Sequence, residues 1–161
     1  CAVDPPTALG PNFANTPATQ ADLNETSLEQ GIIDIAAFTD ERGLKVALTA
    51  RKMIVPKELQ FTAERLMKST LRTSTADNDI NAIKSMGLIP EGYAVNHFLT
   101  DTNAWFLITD APNGLKMFQR SPIKTAFEGD FDTGNMRYKA RERYSFGWSD
   151  PRGIYGSSGS T

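Results

Sequence analysis

The sequence predicts an α+β fold, and three patterns carry that expectation. Apolar residues recur at helical spacing over residues 27–38 and 56–70. From Tyr93 onward the patterning changes to that of strands, with an apolar run at 104–109. Near the C-terminus, acids and then bases alternate on either side of Thr133-Gly134, as in a hairpin. The 161 residues are 40% hydrophobic and 22% charged, enough for one domain, or one domain plus an arm.

Residues 1–26 carry Pro5, Pro6, Pro11 and Pro17 and show no period of 2 or 3.6. Proline blocks helix interiors and central strands, so an extended arm is expected. Ser27, with Gln30 three residues on, reads as a capping box opening a helix to residue 38. Leu28, Ile32, Ile35 and Ala36 share its apolar face. Asp40-Glu41-Arg42-Gly43 stops it, and Lys45 to Val55 reads extended. Pro56 suits the first turn of the next helix, with Leu59, Ala63, Leu66, Met67 and Thr70 as its inward stripe. Residues 73–79 form a polar loop. A short helix follows, with Ile80 and Ile83 inside and Gly87 as C-cap. The apolar run 104–109 reads as a strand buried on both faces. The turn Ala111-Pro112-Asn113-Gly114 then returns Leu115–Arg120 as its partner.

The last hairpin is the most informative local signal. Glu128, Asp130 and Asp132 alternate before the turn, and Arg137, Lys139, Arg141 and Arg143 alternate after it. A two-residue turn at Thr133-Gly134 sets Asp130 opposite Arg137 and Glu128 opposite Lys139, with Phe131 facing Met136 and Phe127 facing Ala140. Moving the turn to Gly134-Asn135 still pairs acid with base. Cross-strand ion pairs contribute about 0.2–1 kcal/mol each, so charge helps choose the register while apolar burial supplies more of the stability. The second strand runs on through Tyr144, Phe146 and Trp148, beyond the usual strand length and beyond what a small globule spans. Asp150-Pro151-Arg152-Gly153 is a turn, and Gly156–Thr161 reads as a flexible tail by composition.

Seventeen Lys and Arg against nineteen Asp and Glu argue against a strongly basic nucleic-acid binder. A single Cys and a single His leave no disulfide framework, no Cys/His zinc site and no spare base for a nucleophilic triad. The chain opens on Cys1 rather than Met, which reads as part of a longer or processed chain. Asn24-Glu25-Thr26 matches a glycosylation sequon, but no secretory signal accompanies it. Asp77, Asp79 and Asn81 start like a calcium loop, but Ala82 and Leu88 stand where Gly and Glu are needed, so a polar loop with a helix cap is expected. His97 has no nucleophile motif near it and reads as a packing or hydrogen-bonding residue. Gly153, Gly156 and Gly159 are spaced like a phosphate loop, but no helix follows. The basic stripe is the one candidate for nucleic-acid contact. Tyr138, Tyr144, Phe146 and Trp148 point to the other face and cannot stack bases beside it. Ion pairs within or between subunits are the other reading. No catalytic, cofactor or metal residues emerge.

Two segments carry a resemblance. Residues 53–66, Met-Ile-Val-Pro-Lys-Glu-Leu-Gln-Phe-Thr-Ala-Glu-Arg-Leu, resemble the strand-to-helix passage of tailed-phage major capsid proteins. Residues 141–156, Arg-Glu-Arg-Tyr-Ser-Phe-Gly-Trp-Ser-Asp-Pro-Arg-Gly-Ile-Tyr-Gly, resemble the C-terminal end of the same proteins. Residues 100–107 and 112–116 also fit, in order, from about residue 23 to 156. The resemblance implies the Hong Kong 97-type fold. Residues 1–26 would then be an extended arm and 27–125 mainly the axial domain. Residues 126–161 would form a long hairpin returning to the peripheral domain, plus a C-terminal tail. The family's N-terminal arm, extended loop and spine helix are not found in these residues; either they lie before Cys1 in a longer chain, or this chain departs from the family pattern. It further implies a homo-oligomer of hexamers and pentamers closing into an icosahedral shell around double-stranded DNA. Glu128, Asp130, Arg137, Lys139, Arg141 and Arg143 would serve as inter-subunit or intra-hairpin ion pairs. Scaffold, maturation protease and portal are the implied partners, with at most weak non-specific DNA contact, no cofactor and no membrane. The implied location is the virion, assembled in the host cytoplasm. An encapsulin-like shell subunit is the alternative within this fold.

Overall fold

The computed structural model describes residues 14–72, 79–129 and 131–159. Cys1, Pro5, Pro6, Pro11, Asp77 and Asp130 lie outside them. The described residues fall into two compact units. One holds those up to Gly114 and from Asp150 on, and the other is Leu115–Ser149.

The larger unit is mixed α/β. Its helices are α1 (Glu25–Ala36), α2 (Gln60–Lys68) and α3 (Ala82–Met86). Its strands are β1 (Ala50–Val55), β2 (Tyr93–Val95), β3 (Trp105–Thr109) and, after the second unit, β6 (Ile154–Ser157). They form one sheet in the order β2-β1-β3-β6, with β1 and β2 parallel and the other pairs antiparallel.

The N-cap of α1 lies three residues before the expected one. Asn24, not Ser27, is the N-cap: its Oδ1 accepts the Ser27 N–H at 2.8 Å, and Ser27 Oγ accepts the Asn24 N–H at 3.0 Å. This reciprocal box satisfies two helix-end donors and engages the side chain of the sequon. Leu28 and Ile35 are buried, whereas Ala36 faces out. Gly31 lets the helix approach the sheet. A Cβ there would stand 3.1 Å from the Tyr155 ring and 3.2 Å from the Trp105 indole.

Met53, Val55, Trp105, Leu107 and Tyr155 fill the core on that side of the sheet. Strand β3 therefore alternates rather than being buried on both faces. Trp105, Leu107 and Thr109 point inward, while Phe106 and Ile108 are half-buried. Pro56 opens the next helical segment as expected, through one 3-10 turn (Lys57–Leu59) before α2. Ala63 and Leu66 are the buried part of its stripe, and Thr70 is exposed beyond its end. The Asn81 side chain caps α3 by accepting the Lys84 N–H at 3.2 Å and donates to the Leu66 carbonyl at 2.7 Å. Gly87 closes α3 at φ 62, where only glycine is free of strain. Ile83 is inside, but Ile80 precedes the helix and is exposed.

The expected C-terminal tail begins as a strand: Gly156 and Ser157 belong to β6, Ser158 and Gly159 follow it, and residues 160–161 lie outside the described residues. Tyr155 and Ser157 of β6 are 1% exposed, and Trp105↔Ser157 through Ile108↔Ile154 are paired. The composition that suggests flexibility has a packing reason. A Cβ on Gly156 would run into the Phe106 ring, and one on Gly153 into the Gly114 backbone.

Tyr155 donates its hydroxyl to Asp34 Oδ2 at 2.7 Å, tying β6 to α1. Burial first, then the bond to Asp34, pushes the Tyr155 phenol far above its ordinary value. The unfolded phenol ionises near pH 10 while the folded one stays neutral, so stability falls as pH rises past about 10. The slope reaches about 1.4 kcal/mol per pH unit. Tyr155→Phe should flatten it in urea melts between pH 9 and 11. Parallel decline of both proteins would refute this.

Candidate assembly surface

The second unit is a hairpin of β4 (Leu115–Gly129) and β5 (Met136–Trp148). Here the expected pairing is corrected. Leu115–Arg120 does not return against β3 but pairs with Tyr144–Trp148, from Leu115↔Trp148 to Gln119↔Tyr144. At the tip the last pair is Gly129↔Met136, so the connection is longer than two residues. Gly134 in it takes φ 70. Glu128 thus faces Arg137 rather than Lys139, Phe127 faces Tyr138 rather than Ala140, and Met136 faces Gly129 rather than Phe131.

Register shifts occur between Gln119 and Ser121 and again between Ser121 and Lys124. Pro122 lies in this stretch. It lacks an N–H for the ladder, and such residues collect at bulges.

Directly opposed residues share a face in an antiparallel pair. One face carries the expected stripe. Arg137 faces Glu128, Lys139 faces Ala126, Arg141 faces Lys124, and Arg143 faces Ser121. The other carries Leu115, Met117, Phe127, Met136, Tyr138, Tyr144, Phe146 and Trp148. Tyr144 and Phe146 meet edge-on at 5.4 Å. No described residue of either strand is buried; Phe127 is 74% exposed and Phe146 70%. Of the expected ion-pair residues, the register brings Glu128 and Arg137 together and sets Arg141 against another cation. A large exposed apolar face, here interrupted by Gln119 and Glu142, is characteristic of an interaction surface.

The larger unit offers little chemistry beside this. His97 is exposed in the turn after β2 rather than in a strand. A groove of about 300 Å³ on the half-buried sheet face is lined by Asn15, Phe98, Asp101, Phe106 and Ile154, among others. Its carboxylate, Asp101, accepts the Asn103 N–H at 3.0 Å. Tyr93 Oη donates to Glu64 Oε2 at 2.7 Å, and Lys68 Nζ lies 2.8 Å from Glu64 Oε1. The Lys68 bond, then that of Tyr93, holds the Glu64 carboxyl below its ordinary range, and Lys68 and Tyr93 are both raised by it. This trio ties α2 to edge strand β2. Among the described residues no group of three or more His, Cys, Asp or Glu could hold a metal ion. No described helix is long and apolar enough to cross a membrane.

Residues 2–157 match the family model described as phage capsid protein. The chain belongs to the phage capsid protein family. No curated protein matches it. A solved chain from Mycobacterium phage Che8 is similar at 17% identity and a TM-score of 0.48, over 90% of this chain and 54% of that one. The chain thus spans about half the length of that relative.

Proposed function

We propose that this chain is a major capsid subunit of the Hong Kong 97-type that self-assembles into hexamers and pentamers of an icosahedral head enclosing double-stranded DNA. The observation that carries the reading is the capsid-family match along residues 2–157. The exposed apolar face of the β4–β5 hairpin supports it, because such a face favours association over exposure to water. In this reading residues 27–125 act mainly as the axial domain, and the hairpin with the C-terminal segment belongs to the peripheral domain. Glu128 and Arg137 pair within the hairpin, and the remaining stripe residues act between subunits. Scaffold, protease and portal act on the assembling shell in the host cytoplasm.

The test is light scattering followed by negative-stain electron microscopy of the protein expressed from its complete reading frame. Rings or closed shells tens of nanometres across are expected. A monodisperse monomer at all concentrations would overturn the reading.

A further inference from the structure

The charges of this chain are segregated. Leu115–Ser149 carries seven Lys or Arg and four Asp or Glu, whereas the rest of the chain carries ten and fifteen. The asymmetry is strongest around α1. No Lys or Arg precedes Arg42, while seven Asp or Glu do, among them Glu25, Glu29, Asp34, Asp40 and Glu41. Arg72 takes Glu25 at 3.0 Å, and Asp34 is held by Tyr155 and Gln30. Glu29 is half-buried on α1, and Glu41 is exposed just beyond the helix, next to the exposed Arg42.

The hairpin shows the opposite arrangement. Its register places Lys124 directly across from Arg141, with Lys139 and Arg143 on the same face opposite Ala126 and Ser121. Like charges placed across a ladder oppose the pairing they sit on. All four side chains are exposed. From residue 137 to 143 the strip is about 20 Å long at 3.4 Å per residue. The twelve-residue α1 is about 18 Å long at 1.5 Å per residue.

We infer that the basic face of the β4–β5 hairpin docks on the acidic α1 segment of a second copy of this chain. The inference rests on the shell reading and adds to it the partner surface and its control by ionic strength. Charge complementarity of this kind sets register and encounter rate between subunits. Screening shortens its reach from about 10 Å at 0.1 M salt to about 3 Å at 1 M. It leaves the aromatic face of the hairpin for a different contact.

The experiment is charge reversal and charge swap in the protein from its complete reading frame, followed by light scattering and electron microscopy over a salt series. Lys139→Glu with Arg141→Glu should raise the concentration for half-maximal assembly about tenfold or more at low salt. Glu29→Lys with Glu41→Lys should do the same, and the four substitutions together should restore assembly. Circular dichroism checks that each variant folds. Wild-type shells whose formation ignores both salt and Lys139→Glu/Arg141→Glu would overturn the inference and leave the shell reading standing. Absence of any wild-type assembly would overturn both. Shells that fall apart on nuclease treatment, with no rescue by the swap, would assign the strip to nucleic acid and overturn the docking.

Discussion

Trp105→Ala should lower the stability of the larger unit by about 3–5 kcal/mol. Trp105 is 1% exposed at one end of β3, in the middle of the four-stranded sheet. Its indole lies against the position where Gly31 brings α1 closest, and its ring centroid is 6.3 Å from that of Tyr155. Its Nε1–H donates to the Ala21 carbonyl at 3.0 Å, so it also anchors the segment leading into α1. Truncation creates a cavity under a helix that has no side chain at Gly31 to fill it, and it leaves the Ala21 carbonyl with the Ser157 hydroxyl at 2.9 Å. Buried Trp→Ala changes cost about 3–5 kcal/mol, against a total of about 5–15 kcal/mol for a domain. Urea unfolding followed by far-ultraviolet circular dichroism is the measurement, since the substitution removes one of only two tryptophans. Phe98→Ala, at a side chain 93% exposed, is the control and should change stability by less than about 0.5 kcal/mol. Equal midpoints for the two variants would mean that α1 is not seated on β3.

The same core shows what sequence patterning can reach. Leu28, Ile35, Ala63, Leu66, Ile83 and Leu107 are legible from periodicity and are all buried. The capping box was legible as a motif but misplaced. Ser27 closes the box from inside the helix, and Asn24 is equally able to cap. Strand β6 was not legible, because glycine and serine suggest flexibility unless a ring such as Phe106 demands a missing Cβ, and that demand comes from a residue about fifty positions away. The parallel pairing of β1 with β2 is likewise a long-range fact.

The hairpin divides differently. Its two faces follow from alternation and were readable. Its register was not, because a slip of two residues preserves period-2 alternation. Glu128 meets a base whether it faces Lys139 or Arg137, so the charge pattern cannot choose between them. The choice falls to the longer connection at the tip and to the shifts around Ser121 and Pro122. The tip register runs unbroken from Gly129↔Met136 to Lys124↔Arg141, and it alone makes the opposition of those two cations.

Tyr138→Asp combined with Phe146→Asp should abolish assembly while leaving the larger unit folded. Both side chains are exposed, at 70% each, so neither change opens a cavity or buries a charge in the isolated chain. Both lie on the face shared with Phe127, Met136 and Trp148, where two carboxylates would have to be desolvated on association. Burying an unpaired charge costs several kcal/mol, and 1.4 kcal/mol is already tenfold in association. Over a shell built from many repeats of one contact, a loss of that size is multiplied. The expected result is a folded, monomeric protein with an unchanged urea midpoint by circular dichroism and no particles by electron microscopy. Substitutions on the opposite face of the hairpin separate the two contributions. Lys139→Glu with Arg141→Glu should weaken assembly in a way that depends on salt, whereas loss on the aromatic face should be equally complete at low and high salt. Shells of normal size from Tyr138→Asp/Phe146→Asp would show that this face stays exposed to solvent in the assembled particle and would remove the aromatic face from the assembly mechanism.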